Sequence, residues 1–162
     1  MTTIYTTIDS PIGELLLAGD ESGALASLSV PGQTSIQPEW RRDPAAFADV
    51  ERQLRGYFAG SLHHFDVPFA EHGSEFQQRV WRAIEAIPYG TTTTYGAVAE
   101  QVGAPRDRVR AVAAAIGANP LLILRPCHRV IGADGSLTGY AGGVERKQFL
   151  LTLEGALQPQ LV

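Results

Sequence analysis

The stretch YGAVAEQVGAPRDRVRAVAAAIGAN, residues 95–119, decides the fold of the second half of the chain. Apolar residues recur at helical spacing on both sides of GAP at 103–105, which predicts one short helix before Gly103 and another starting near Pro105. Ala99, Gly103 and Val109 are the small, turn and branched residues that a helix-turn-helix favours at these places. An ordinary helical hairpin with a solvated arginine face fits the same pattern, so both interpretations stay open.

The second of these helices has the side chains of a surface that approaches an anionic partner. In a helix-turn-helix the second helix meets DNA, and its exposed face here is predicted to carry Arg106, Arg108 and Arg110. Small residues, which let a backbone come close to a partner, fill the rest of the helix: Ala111, Ala113, Ala114, Ala115 and Gly117. The net charge also favours an anionic partner for this half of the chain, because it is −7 over residues 1–75 and +3 over residues 76–162.

Composition limits the classes of protein to which the chain can belong. Its 162 residues suit one large domain or two small ones, and 44% hydrophobic residues are enough for a core. A single cysteine excludes an internal disulfide, which favours a reducing cytoplasm. The start MTTIYTTIDSPIG has no secretory signal pattern, and no apolar run reaches the roughly 18 residues of a membrane span. These features predict a cytoplasmic protein without a membrane segment.

The apolar patterns, and the turn residues Pro68 and Gly73 between them, predict two domains, over residues 1–70 and 74–157. In the first, TIYTTIDS and ELLLAG read as a hairpin, GALASLSV as a third strand, and 44–60 as a helix. This domain shows no converging polar cluster and is expected to act as support. In the second, Ser74 can cap a helix over EFQQRVWRAIEAI, Thr94 can cap the helix that starts at Tyr95, and VERKQFLLTLEG forms a closing helix whose Val144, Phe149, Leu150 and Leu153 are available to the core.

The only cysteine lies in LLILRPCHRVIG, residues 121–132, an apolar run that should be buried. An isolated cysteine is most often an inert small hydrophobe. Here His128 adjoins Cys127, and Arg125 and Arg129 flank it, so nearby positive charge is expected to lower the thiol pKa and make it nucleophilic. If the segment is extended, Cys127 and His128 point to opposite faces, and a water-bridged contact is expected instead of a direct one. The histidines show no metal-ligand spacing, and no cofactor motif is present.

Several motifs together resemble one family. PCHRV at 126–130, GANP at 117–120 and TGYAGG at 138–143 are similar to the O6-alkylguanine-DNA alkyltransferases, also called methylated-DNA–protein-cysteine methyltransferases. FQQRVWRAIEAIPYGTTTTYGAVAEQVGAP resembles the helix-turn-helix region of the same family. The resemblance covers residues 74–155 and extends more loosely to TIDSPIGELLLAG and YFAGSLHHFDVP. It implies an α+β fold, with a ribonuclease-H-like sheet-and-helix domain followed by a winged helix-turn-helix-like domain.

The resemblance also implies a function and a role for individual residues. The protein would flip O6-alkylguanine, and also O4-alkylthymine, out of duplex DNA bound through the minor groove, and would transfer the alkyl group irreversibly to itself. It would work once, as a monomer, without a cofactor or a metal. Cys127 would accept the alkyl group, His128 would act as base through a water, Glu154 would orient His128, Tyr95 would donate to guanine N3, and Asn119 would hold the active-site backbone.

The same resemblance assigns the DNA-binding and pocket residues. Arg110 would fill the space left by the flipped base. Thr94, Ala111 and Arg129 would also bind DNA, together with Arg106 and Arg108, which the helix-turn-helix pattern already places on the exposed face of the second helix. The pocket would be lined by Val130, Tyr140, Ala141, Gly142 and Lys147.

Three positions depart from the family's pattern. Ala113 stands where glycine is usual, Ala141 where serine is frequent, and Arg125 where an apolar residue is common before PCHR. Arg125 is expected to pair with a carboxylate or to lay its aliphatic stem on the core with its guanidinium in solvent.

Three other functions compete with alkyl transfer. The first is a relative that binds the lesion without transferring the alkyl group, but such relatives lack the cysteine that is present here. A helix-turn-helix regulator would usually dimerise, and no dimer seam is apparent. A cysteine hydrolase would need a direct Cys–His contact.

Overall fold

The computed structural model describes residues 2–70, 72–104, 108–137 and 139–157. The chain divides into two compact units, Met1–His72 and Gly73–Val162. The first unit contains a four-stranded sheet and a helix, and the second is mainly helical with a two-stranded pair. The predicted α+β class is confirmed.

A sheet with strand order β3-β2-β1-β4 forms the first unit. Strands β1 (Ile4–Ile8), β2 (Leu15–Gly19) and β3 (Leu25–Ser29) are the predicted ones, and each pairs antiparallel with its neighbour in sequence. Strand β1 alternates buried and half-buried residues, because one face of the sheet packs on the core. The fourth strand, β4 (Arg41–Arg42), pairs parallel with β1 and has no sequence signal of its own.

The helix predicted over 44–60 begins as a 3-10 turn at Pro44–Phe47 and continues as α1 (Ala48–Phe58). Its buried face includes Leu54 and Tyr57. The buried Gln53 fixes the chain that follows the helix, because its amide donates to the Asp66 carbonyl at 2.9 Å and accepts from the Asp66 N–H at 2.8 Å.

The second unit starts with α2 (Glu75–Glu85), which Ser74 and Gln77 cap as a reciprocal pair. Thr94 lies in the two-residue strand β5 (Thr93–Thr94) and caps α3 (Tyr95–Gln101) by accepting from the Ala97 N–H at 3.1 Å. Both predicted caps are therefore confirmed. The indole N–H of Trp81 on α2 donates to the Ala115 carbonyl of α4 (Val109–Gly117) at 2.8 Å, which ties these two helices together.

The helix pair predicted around GAP is α3 and α4. Gly103 ends the first of them with a positive φ of 74°, as a C-terminal glycine does. The predicted start of the second helix near Pro105 lies outside the described residues, and the described part begins at Val109. Its exposed side is mostly small, since Ala114 and Gly117 face solvent.

Strand β6 (Val130–Ile131) pairs parallel with β5, placing Thr93 opposite Val130 and Thr94 opposite Ile131. The closing helix, α5 (Val144–Leu153), buries Leu150 and Leu151. The prediction that Val144 and Phe149 are available to the core is wrong, because they are 47% and 39% exposed. Of the helices described, none has both the length and the apolar character needed to cross a membrane.

Candidate active site

The segment around Cys127 is buried throughout and turns tightly. Residues 121–130 are all buried. Leu124 N–H donates to the Leu122 carbonyl at 2.8 Å, around Ile123, whose φ of 71° is the only positive value for a non-glycine among the described residues. A branched side chain is strained in this region of backbone space. The structure therefore corrects the expectation of an extended segment.

A second tight turn presents the cysteine. Pro126, with φ −77° and ψ 63°, lies between the Arg125 carbonyl and the Cys127 N–H, which are 2.7 Å apart. These angles match an inverse γ-turn, and proline already holds its φ near the required value. Cys127–Arg129 then form a 3-10 turn before β6. Because the turn is not extended, the argument that Cys127 and His128 point to opposite faces no longer applies.

Asn119 braces this turn from inside the protein. Its amide nitrogen donates to the Arg125 carbonyl at 2.8 Å and to the Leu121 carbonyl at 3.4 Å, and its amide oxygen accepts from the Leu121 N–H at 3.0 Å. Asn119 is 4% exposed, so these bonds form away from competing water. The geometry suits the predicted role of holding the active-site backbone.

The Cys127 thiol is protonated at neutral pH in this environment. Burial raises its pKa from an ordinary 9.0 to about 11, and the Asn119 side chain, Lys147 and Arg125 oppose this only in part. The sequence predicts a lowered thiol pKa from flanking cations, and that prediction is wrong because the loss of hydration outweighs them. A reaction at this sulfur therefore needs a group that removes its proton.

His128 and Glu154 form a buried pair suited to that task. Nε2 of His128 lies 2.7 Å from Oε2 of Glu154, and neither side chain is exposed. Burial lowers the pKa of His128, while the Glu154 carboxylate acts in the opposite direction. A neutral imidazole that donates through Nε2 keeps its lone pair on Nδ1. Nδ1 has no hydrogen-bond partner among the described residues, so it is available as a base.

The structure corrects the expectation that Arg129 contacts DNA. Its Nε donates to Glu154 Oε1 at 2.7 Å, its Nη2 to Glu154 Oε2 at 3.0 Å, and its Nη1 to the Ile87 carbonyl at 2.6 Å. The side chain is 8% exposed, and all its nitrogens serve the protein interior. Arg129 therefore neutralises and orients Glu154, which in turn orients His128.

Tyr95, Tyr140 and Lys147 lie near the cysteine. Burial raises the pKa of both tyrosines, that of Tyr140 well above 10, and a negative charge on Cys127 would raise both further. Among the described residues the buried Tyr140 hydroxyl has no hydrogen-bond partner, and its ring meets the His128 ring edge-on at 6.4 Å. Both phenols are therefore neutral at physiological pH and can donate a hydrogen bond.

Burial also lowers the pKa of Lys147, and a Cys127 thiolate would raise it. The Lys147 ammonium donates to the Val130 carbonyl at 2.6 Å. It lies 6.0 Å from the centre of the Tyr95 ring. These contacts hold the ammonium against the first residue of β6 and near the Tyr95 ring.

The remaining predicted pocket residues belong to the loop before α5. Gly142 is buried, and a side chain there would meet the Tyr140 ring at 2.6 Å, so any larger residue would force that ring to shift. Ala141 is exposed. Val130 is fully buried, and its carbonyl already accepts from Lys147, so the side chain of Val130 serves the core.

The residues predicted to bind DNA differ in their exposure and in their hydrogen bonds. Arg108 and Arg110 are exposed at the start of α4, and Ala111 is half-buried beside them. The hydroxyl of Thr94 is used to cap α3. Arg106 lies outside the described residues. The structure thus presents Arg110 and a small-sided surface on α4, with Arg108 exposed directly before the helix.

Arg125 pairs with a carboxylate, which was one of the two expected arrangements, but its head does not reach solvent. Its guanidinium carbon lies 4.7 Å from the centre of the Trp81 ring, and its Nε lies 3.8 Å from Glu85 Oε1. The side chain is 5% exposed. Trp81 and Glu85 carried no functional signal in the sequence, although their four-residue spacing puts them on one face of α2.

Metal ligation has no support in residues 2–70, 72–104, 108–137 and 139–157, where no group of three or more His, Cys, Asp or Glu residues could hold an ion. The described site consists of a thiol, a histidine–carboxylate pair, two phenols and a lysine. This set can move a proton and form a bond to sulfur.

Comparison with known proteins covers both units. The family model for the 6-O-methylguanine DNA methyltransferase DNA binding domain matches residues 75–156, and the model for the ribonuclease-like domain of the same enzyme matches residues 3–70. A methylated-DNA–protein-cysteine methyltransferase of Mycolicibacterium paratuberculosis is 53% identical over 96% of this chain and 94% of its own. One of Methanosarcina acetivorans is 49% identical over 94% of this chain and 98% of its own.

A solved structure agrees with these relatives. The crystal structure of Mycobacterium tuberculosis OGT in complex with DNA superposes with a TM-score of 0.88 at 53% identity, covering 94% of this chain and 93% of the other. The chain belongs to the 6-O-methylguanine DNA methyltransferase family.

Proposed function

We propose that this protein repairs DNA by transferring an alkyl group from O6 of guanine to its own Cys127. The observation that carries the proposal is a buried thiol next to the His128–Glu154 pair, in the unit that also exposes Arg108 and Arg110 at the start of α4. Relatives with about half of their residues identical are methylated-DNA–protein-cysteine methyltransferases, and a similar structure contains DNA.

The proposed reaction is an in-line displacement at the alkyl carbon. The Cys127 sulfur forms a bond to that carbon while the bond between the carbon and guanine O6 breaks, and the electron pair passes to the guanine ring. The thiol proton moves to Nδ1 of His128 through a water and finally to the guanine, so no charge is left in the site. The Tyr95 hydroxyl donates to guanine N3 and stabilises the charge that develops there.

Base flipping explains why the thiol is buried. The O6 atom of a stacked guanine cannot reach an interior sulfur, so the nucleotide must leave the duplex and enter the site. Arg110 is exposed on α4 and long enough to occupy the space left in the base stack. The small residues Ala111, Ala114 and Gly117 suit close approach to a minor groove. O4-alkylthymine presents an equivalent alkyl oxygen and is the second substrate we propose.

The thioether product cannot be reversed by any group in the described site. Each molecule therefore acts once and needs no cofactor. Because the thiol must stay reduced until it meets a lesion, we place the protein in the reducing cytoplasm. It is proposed to act as a monomer, since one chain carries both the DNA-facing helix and the acceptor.

One experiment tests the proposal directly. The protein is incubated with duplex DNA containing a single O6-methylguanine and is weighed intact by mass spectrometry. We expect a gain of one methylene unit that is absent in the Cys127→Ser variant, together with conversion of the lesion to guanine. DNA binding without any adduct would overturn the proposal and favour a protein that only marks the lesion. Binding to undamaged paired half-sites would favour a regulator.

A further inference from the structure

Arg125 is a buried cation whose presence the proposed chemistry does not yet explain. It is 4% exposed, and burying an arginine costs several kcal/mol unless the charge is paired. It lies two positions before the alkyl acceptor, in a segment that is otherwise apolar from Leu121 to Leu124. The free-energy cost of burying this charge so close to Cys127 suggests that the charge has a role at the thiol.

Its side chain is held by one face of α2. The guanidinium lies over the Trp81 ring, with 4.7 Å between the guanidinium carbon and the ring centre, and Glu85 is 3.8 Å from its Nε. Trp81 is itself fixed, because it is buried and its indole N–H donates to the Ala115 carbonyl of α4. The guanidinium therefore packs on a ring of α2 that α4 holds in place.

Its main chain forms the turn that presents Cys127. The Arg125 carbonyl accepts from the Cys127 N–H at 2.7 Å and from the Asn119 amide at 2.8 Å, and the Arg125 N–H donates to the Leu121 carbonyl at 3.0 Å. Arg125 therefore contacts α2 through its side chain and forms the turn before Cys127 through its main chain.

We propose that Arg125 is a positioning residue for the alkyl acceptor, which supplies a fixed positive charge to the sulfur and which Trp81 and Glu85 hold in place. This inference rests on the proposed function for its biological meaning, but its physical content concerns only the reactivity of Cys127. Arg125 is one of the groups that lower the thiol pKa against the effect of burial, and its contribution is smaller than those of the Asn119 side chain and Lys147. Glu85, as the counter-ion, weakens the positive potential that reaches the sulfur.

The test compares variants that change the charge in opposite directions. Cys127 is allowed to react with iodoacetamide between neutral and mildly alkaline pH, and the adduct is followed by intact mass, so no DNA is needed. Arg125→Met keeps the apolar stem and removes the charge, and we expect about a two- to threefold slower reaction. Arg125→Lys keeps the charge and should recover most of the rate. Glu85→Gln removes the counter-ion and should accelerate the reaction about twofold.

Controls separate this role from simple packing. Arg79→Met removes another arginine that lies over an aromatic ring of α2, 5.7 Å from Phe76, and should leave the rate unchanged. Thermal unfolding shows whether each variant is folded. If Glu85→Gln slows the reaction as much as Arg125→Met does, or if folded Arg125→Met reacts at the wild-type rate, the inference is wrong. If the iodoacetamide rates follow the expected order but wild type accepts no methyl group from DNA, the proposed function fails and this inference stands.

Discussion

Replacing Arg129 by methionine should destabilise the second unit far more than any surface change. The variant leaves the buried Glu154 carboxylate without its two bonds from Arg129, and leaves the Ile87 carbonyl without a donor. The side chains of Arg129 and Glu154 are 8% and 0% exposed, so water does not compensate. Breaking a buried pair of this kind costs about 3–5 kcal/mol. That is a large share of the roughly 5–15 kcal/mol by which a domain is stable.

The assay is urea unfolding followed by tryptophan fluorescence. The chain has two tryptophans, so a Trp40→Phe background leaves Trp81 of the second unit as the only reporter. Arg82→Met is the matched control, because Arg82 is an exposed arginine on α2, and its replacement should change the free energy of unfolding by less than about 0.5 kcal/mol.

A second variant tests the cause. Arg129→Met combined with Glu154→Gln has no uncompensated buried charge and should be more stable than Arg129→Met alone. A loss below about 1 kcal/mol in Arg129→Met, or a double variant that is less stable still, would refute the reasoning that Arg129 acts as the internal partner of Glu154.

Three further changes have expected outcomes. Asn119→Ala leaves carbonyls of the active-site turn without their donor, so we expect a loss of about 2–3 kcal/mol in urea unfolding and markedly slower methyl transfer. Because the folded pKa of Cys127 is raised from 9.0 to about 11, stability should fall as pH rises through that interval, and Cys127→Ser should show a smaller fall. Gly142→Ala places a methyl group 2.6 Å from the Tyr140 ring and should cost about 1–3 kcal/mol, whereas Gly117→Ala, with no atom within 4 Å, should stabilise α4 by roughly 0.5–1 kcal/mol.

Each of these has a result that would contradict it. Wild-type transfer rates in folded Asn119→Ala would remove its bracing role. Parallel pH curves for wild type and Cys127→Ser would mean that the thiol pKa is not raised by folding. Equal stability of Gly142→Ala and wild type would show that the Tyr140 ring can move aside.

Local features of the fold were predictable because their causes lie within a few residues. The Ser74 and Thr94 caps accept from N–H groups three residues away, and the β1–β2 hairpin follows from alternation and a turn. The helix pair could be predicted for the same reason. The short strand β4 could not, because its pairing depends on β1, which is distant in sequence.

The pairing of His128 with Glu154, which the family resemblance implies, is present in the structure, whereas the charges around Cys127 were less predictable. Arg129 looks like a surface cation in the sequence, and its partners Glu154 and Ile87 are 25 and 42 residues away. The thiol pKa depends on burial, which no flanking residue reveals. Likewise, the positive φ of Ile123 runs against the preference of a branched residue, so the local sequence does not predict it.

The two-residue pairing of β5 with β6 limits how this protein can be recombined with its relatives. Thr94 caps α3 and lies opposite Ile131, and Thr93 lies opposite Val130, the residue that directly follows the turn of Cys127. The start of α3 and the turn that presents Cys127 are therefore joined by one stretch of paired backbone. A chimaera that exchanges only the helix pair would break that register. Crossovers should lie before residue 93 and after residue 131, so that the helix pair and the turn of Cys127 come from the same parent protein.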